Sequence, residues 1–310
     1  RWDSEVLGLV AQIHEYKGKQ MLFLRQKPAT LEKLVEIAKI QSTEASNKIE
    51  GIVTTATRIK QLCEQKTTPR NRDEEEISGY RDALALIHES YEYIPIKPSY
   101  ILQLHQVLYR YSQKGIGGRF KNTQNYIAEI KESGEQYVRF MPLEPFETPM
   151  AIEAICDSFN REMDVCEIDP LILIPAFIVD FLCIHPFNDG NGRMSRLLTT
   201  LLFYRAGYVV GKYVSLESKI EKTKESYYDA LEKSDIDWHR EGNDITPFIK
   251  YILGTILAAY RDFEERVTIV EGKVTTIDLV RKAVGNTIGK FTKNDIMEYV
   301  PSVSKASVEN

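Results

Sequence analysis

Apolar residues recur at helical spacing along most of this chain. Leu31, Leu34, Val35 and Ala38 fall on one stripe. So do Leu84, Ile87 and Tyr91, and then Ile101, Leu104, Leu108 and Tyr111. Asp169-Pro170 predicts an N-cap followed by proline at the first helical position, opening an apolar helix over 171–184. Thr199 to Arg205 predicts a helix that stops at Gly207, and Thr246-Pro247 opens another through Ala259. Two stretches break the period. The charge run Asn71 to Glu76, just after Pro69, reads as a solvated connector. Residues 126–141 alternate instead: Tyr126, Ile127 and Ile130, a Ser133-Gly134 turn, then Tyr137, Val138 and Phe140. That predicts a hairpin, closed by Met141-Pro142 because proline cannot donate to a ladder. Beyond about residue 268, helices over Thr276–Ala283 and Lys293–Tyr299 and a turn at Pro301–Ser304 outline the front of a helix-turn-helix.

Composition narrows the classes. At 310 residues the chain has room for roughly two domains of about 150 residues each. With 43% hydrophobic and 27% charged residues it can bury a core. A net charge of −5 offers no electrostatic drive toward nucleic acid or an anionic membrane. The four cysteines, Cys63, Cys156, Cys166 and Cys183, form no C-x-x-C pair. That argues against a zinc ribbon, a thioredoxin-like motif or a disulfide scaffold and fits a reducing, cytoplasmic compartment. The most apolar stretch, Leu171 to Ile184, is broken by Pro175 and Asp180. It is shorter than the ~20 residues a bilayer needs. No signal peptide is visible, which is weak evidence in a chain that begins at Arg1 rather than Met.

One segment carries chemistry: His185-Pro186-Phe187-Asn188-Asp189-Gly190-Asn191-Gly192-Arg193-Met194-Ser195-Arg196. A buried helix should end at His185, since the residue before proline is pushed away from helical geometry. Gly190 and Gly192 allow a tight loop to present its amides, and a new helix should begin near Arg193. A helix N-terminus beside a nest of amides is an anion site. Arg193 and Arg196, at i and i+3, share a helix face. Asp189 is the loop's one carboxylate, enough for Mg²⁺ that also takes phosphate oxygens. His185 is the group whose unperturbed pKa, roughly 6.5, suits proton abstraction near neutrality. No G-x-x-x-x-G-K-[ST] sequence is present, which excludes a P-loop.

The dodecapeptide resembles the signature of the Fic family, H-P-F-x-[DN]-G-N-G-R-x-x-R, without a mismatch. The resemblance implies a mainly α, Fic-type helical bundle with a small β-hairpin flap, here followed by a C-terminal winged-helix-like segment. It implies a protein adenylyltransferase that moves AMP from ATP onto a Ser, Thr or Tyr hydroxyl of a target protein and of itself. His185 would be the general base and Asp189 the Mg²⁺ ligand. Asn191, with the Gly190 and Gly192 amides, would hold the phosphates. Arg193 would pair on the β-phosphate side and Arg196 with the γ-phosphate, while Phe187 anchors the loop. Ser195 falls within the same cofactor-binding stretch. Val138 and Arg139 would be flap contacts for an extended target segment, and Tyr227 and Tyr228 would line the adenine pocket.

Upstream, Ser46-Asn47-Lys48-Ile49-Glu50-Gly51 closes a helical run with Gly51 at C′. Beside the motif it resembles the family's inhibitory [ST]-x-x-x-E-[GN] segment. Ser46, Glu50 and Gly51 would form a built-in brake, with Glu50 reaching Arg196 in place of the γ-phosphate. The expected organisation is an N-terminal helical region over 1–70 carrying that segment, a Fic core over 71–265, and a partial winged-helix module over 268–310. Other readings share these residues. Glu50 could position water to remove AMP, or the donor could be UTP or a choline-linked nucleotide. The fold could also sense nucleotide for a regulator whose C-terminal module binds DNA or protein, two options of equal weight. Family members often form homodimers, and no membrane partner is expected.

Overall fold

In a computed structural model, residues 3–24, 28–130 and 136–270, with the single position 297, are described. The two most apolar helices lie at the centre. α7 (Pro170–Ile184) is apolar nearly all round, and Leu171, Ile174, Phe177, Ile178 and Phe181 are buried. A helix without a polar face belongs inside. Asp169 caps it as predicted, its Oδ1 accepting from Leu171 N–H at 2.9 Å, with Pro170 in the first turn. α8 (Asn191–Arg205) packs on α7 and is buried from Arg193 through Tyr204. It stops at Ala206, and Gly207 turns the chain at φ 84°.

Around this pair lie α4 (Arg72–Ser90), α5 (Pro98–Leu108), α6 (Thr148–Val165), α10 (Lys224–Asp235) and α11 (Thr246–Val270). α1 (Ser4–Leu24) runs along α11. α2 (Pro28–Ile49) lies against α4, α8 and α9 (Leu216–Lys222), and α3 (Ala56–Glu64) sits on α2 and α4. One apolar core includes residues from Val6 on α1 to Val267 on α11. Ile59, Leu62 and Ile77 form a satellite cluster under α3.

The predicted hairpin is the two-stranded antiparallel sheet of β1 (Ile127–Ile130) and β2 (Gln136–Phe140). Its register opposes Ala128 to Val138 and slips between Ile127 and Ala128. All four cysteines are unpaired. Among the described residues no helix is long and apolar enough to cross a membrane. The Ser133-Gly134 turn, the helices expected at 276–283 and 293–299 (save the helical position 297) and the turn at 301–304 lie outside the described residues.

The acidic run at 71–76 overturns its reading as a solvated connector. Asn71 is an N-cap, its Oδ1 accepting from Glu74 N–H at 2.9 Å, and the acids form the first turn of α4. Negative charge is favourable there. Glu74 and Glu76 are each only 2% exposed. Glu74 takes Arg58 through Nε at 2.9 Å and Nη2 at 2.6 Å, and these bonds hold its carboxyl down at about 2. Partners this distant in sequence leave no local pattern. Smaller differences follow from chain direction. Tyr91 falls in a 3-10 turn, Tyr111 lies past the end of α5, and α11 continues to Val270.

Candidate functional site

The site is built on the loop between α7 and α8. His185 caps α7 in the left-handed region, at φ 52° and ψ 61°, with its N–H bonded to Phe181 O at 3.0 Å. Gly190, at φ 87°, ends the loop, and α8 begins at Asn191, two residues before the predicted Arg193. A Cβ at Gly190 would lie 2.9 Å from the Tyr109 ring, so glycine is needed for space as well as for φ.

The underside of the loop is locked. Phe187 is fully buried and stacks flat on His105, with centroids 3.7 Å apart. Gly118 N–H donates to His105 Nδ1 at 3.1 Å, which assigns the hydrogen to Nε2, and Nε2 donates to Asp189 O at 3.1 Å. Burial pushes the His105 pKa down to about 4, so the ring is neutral. Lys121 donates through its backbone to Pro186 O at 2.8 Å and through Nζ to Ile184 O at 3.0 Å. Burial lowers its pKa to about 8. Asn125 Nδ2 donates to His185 O at 3.2 Å and Phe187 O at 3.0 Å.

Asn191 completes this bracing, a second role beside the expected one. Its Nδ2 donates to Phe187 O at 2.7 Å while its Oδ1 accepts from Phe187 N–H at 2.9 Å. Both side-chain atoms close the loop on itself, because a buried amide must be paired. Asn191 nonetheless borders the cavity described next.

The upper face borders a cavity of about 270 Å³. His185, Asn188 and residues 189–192 form one wall. Arg196, Tyr227, Tyr228 and Leu231 form another, with Glu50 at one side and Ile127 and Arg139 from the hairpin at another. His185 Nδ1–H donates to Leu182 O at 3.2 Å, so Nε2 keeps its lone pair. Burial, aided by Lys121, lowers its pKa to about 4. Tyr227 is buried, with its hydroxyl hydrogen-bonded to Ser195, while Tyr228 is 42% exposed. Arg139 Nη1 reaches both Asp235 oxygens, at 3.0 and 2.7 Å, and ties β2 to α10. Val138 is exposed and does not line the cavity.

The two arginines part company. Arg196 lines the cavity. Arg193 is 1% exposed and turns inward, with Nη2 2.7 Å from Glu76 Oε2 and donating to Tyr109 OH at 2.7 Å. A buried guanidinium requires a carboxylate, and Glu76 supplies it. The expected Arg193 contact on the β-phosphate side is therefore not presented by this geometry. Ser195 is likewise turned away, fully buried with Oγ bonded to Gly192 O at 2.8 Å.

The end of α2 closes the site. Arg196 Nη2 donates to Glu50 Oε1 at 2.7 Å and to Ser46 O at 2.9 Å, and its Nε donates to Ser46 Oγ at 2.8 Å. A Cβ added at Gly192 would collide with the Glu50 carboxylate, which therefore lies against Gly192 in the first turn of α8. Ser46 also bonds Tyr80, whose hydroxyl donates to buried Glu217 at 3.1 Å. Ser42 Oγ donates to Ser215 Oγ at 2.9 Å. Lys224 Nζ caps the helix at Ile49 O, 2.6 Å away, and Gly51 follows at φ 76°. Glu50 is thus presented by a helix end fixed along its length.

Residues 95–203, which hold the loop and both flanking helices, match the family model described as the Fic/DOC family. The chain carries a Fic domain. Protein adenylyltransferase fic-1 of Caenorhabditis elegans is 27% identical over 184 residues, 58% of this chain and 32% of that protein. Protein adenylyltransferase Fic of Nematostella vectensis is 24% identical over 264 residues, 81% of this chain and 53% of that one. The chain thus spans about a third to a half of the curated relatives it matches. A Fic family protein from Desulfovibrio desulfuricans G20 shares the fold at TM-score 0.70 and 23% identity, covering 100% of this chain and 87% of its own. The Fic domain accounts for the loop and its helices. His105, Tyr109, Lys114, Lys121, Asn125 and Glu76, which serve it, lie outside the signature. Sequence reasoning missed them because each meets the loop only in space.

Proposed function

We propose that this chain is an autoinhibited protein adenylyltransferase, with 71–265 as its core and 1–70 as the region that restrains it. The single observation that carries the reading is one cavity with the free His185 Nε2 in one wall and Arg196 held by Glu50 in another. ATP would place its phosphates over Gly190–Gly192, with the γ-phosphate toward Arg196 and the base toward Tyr227 and Tyr228. A target hydroxyl, brought in along the hairpin by strand addition at Val138 and Arg139, gives its proton to Nε2. Its oxygen forms a bond to the α-phosphorus as the bond to the bridging oxygen breaks, and pyrophosphate leaves. The low pKa of His185 keeps Nε2 unprotonated near neutrality.

Mg²⁺ fits the residues present. Among the described residues no group of three His, Cys, Asp or Glu could hold a metal alone. Asp189 offers a carboxylate whose side chain is 41% exposed at the cavity wall. That suits an ion arriving with phosphate oxygens and water. Bound there, it would neutralise phosphate charge.

The brake follows from charge and position. Glu50 occupies the Arg196 guanidinium that a γ-phosphate needs. Two unit charges about 4 Å apart in an effective dielectric of ~20 interact by about 4 kcal/mol before desolvation. Even a third of that is about tenfold in an equilibrium. The test is transfer from α-labelled ATP. Glu50→Gly raises self-labelling and His185→Ala abolishes it in either background. Unchanged labelling in Glu50→Gly would sink the brake. The reverse reaction has the same Glu50 in its favour, lining the cavity with His185. Removal of AMP from prelabelled protein that disappears with Glu50→Gly would identify it.

A further inference from the structure

Lys114 lies in the loop after α5, outside the signature, yet its ammonium reaches the loop's carboxylate. Nζ is 2.5 Å from Asp189 Oδ2 and 3.2 Å from Glu76 Oε1. The other Glu76 oxygen holds Arg193 at 2.7 Å. One cation therefore bridges two carboxylates that come from α4 and from the Fic loop. Asp189 thus has two cations beside it, Lys114 at Oδ2 and Arg193 near Oδ1. Its two cations differ in mobility. Arg193 is sealed in, 3.8 Å from Oδ1, whereas the Lys114 side chain is 27% exposed on a flexible four-carbon stem.

We propose that Lys114 is a resident counter-cation that occupies the cation position on Asp189 and sets its affinity for divalent ions. An incoming divalent ion must displace an ammonium already in contact with the carboxylate, so the free ion binds weakly to the nucleotide-free protein. An ion that arrives with phosphate oxygens brings further ligands and tips the exchange. Lys114 thereby makes metal binding depend on nucleotide. This rests on the reading of Asp189 as the metal ligand and extends it by naming the residue that controls occupancy.

The probe is Mn²⁺ alone, titrated into His185→Ala protein without nucleotide and followed by the loss of the free-ion electron paramagnetic resonance signal. Lys114→Met binds Mn²⁺ about tenfold more tightly or better, since Asp189 then lacks its close cation. Lys114→Arg keeps the charge and stays near the parent. Asp189→Asn in the Lys114→Met background removes the gain. Should Lys114→Met not fold, Lys114→Gln serves the same comparison. Equal affinity in parent and neutral variant overturns the proposal, as does a gain that survives Asp189→Asn. Nucleotide binding is read separately, from a fluorescent ATP analogue added to Glu50→Gly. Failure there would sink the nucleotide reading and leave the Mn²⁺ result standing.

Discussion

The lower and upper faces of the loop between α7 and α8 are held by different kinds of contact. Below, Asn191, Asn125, Lys121 and His105 bond to main-chain groups of residues 184–189, and Phe187 is packed flat between them. Above, the contacts are ion pairs between side chains: Glu50 with Arg196 and Lys114 with Asp189. A main-chain carbonyl cannot be exchanged for a ligand. An ion pair between side chains can, because another anion or cation is able to take the place of either partner. The lower face fixes the geometry of the loop. The upper face is held by side-chain charge pairs, which on the proposed reading a nucleotide and its metal ion displace.

The contrast can be broken in order of effect. His185→Ala removes the base, and AMP transfer should fall by about 100-fold or more, to background on an autoradiograph, with or without Glu50. Next come changes to the upper face. Glu50→Gly should raise transfer about tenfold or more while costing about 3 kcal/mol of stability, because Arg196, its side chain only 2% exposed, loses its carboxylate partner and keeps Ser46. Labelling and urea unfolding of the same preparation check both halves.

The lower face should respond in the opposite sense. Asn191→Ala leaves Phe187 N–H without its partner and should cost about 2–3 kcal/mol of stability, seen as a lower urea midpoint, with transfer lost even when Glu50 is absent. If Asn191→Ala proved as stable as the parent, the loop would not be held from below.

The smallest effect is a pH dependence of stability. Burial depresses the pKa of His105 and His185 to about 4 and of His88 to about 3. The unfolded chain takes up protons below about pH 6.5 while the folded chain refuses them. Stability is therefore complete above that pH and drains as pH falls toward 4. Each imidazole contributes up to about 1.4 kcal/mol per pH unit in that window. Urea midpoints at pH 7 and pH 5 measure the slope, and it should flatten in His105→Asn.

Much of the fold was legible because its signals are local. Asp169-Pro170 caps α7, Gly207 ends α8, and the alternation through Ile127 and Val138 is a hairpin. The acidic run misled for a physical reason. Asn71 and three acids are good helix-starting residues, yet exposed charge and capping charge look alike until Arg58 and Arg193 are found across the fold. The site divides in the same way. The i, i+3 spacing of Arg193 and Arg196 predicts a shared face, but a buried carboxylate on α4 draws one of them inward.

Sequence alone determined the chemical types at the loop, the helix that carries Glu50 and the mainly helical architecture, because caps, periodicity and glycine placement act over a few residues. Tertiary structure decided which groups are spent on holding the loop and which face the cavity. It tied the Asn191 side chain to Phe187, turned Arg193 toward Glu76, set Glu50 against Gly192, and brought Lys114 to Asp189 from 75 residues away. Such pairings depend on where burial leaves a polar group in need of a partner, and that need arises only once the helices have packed.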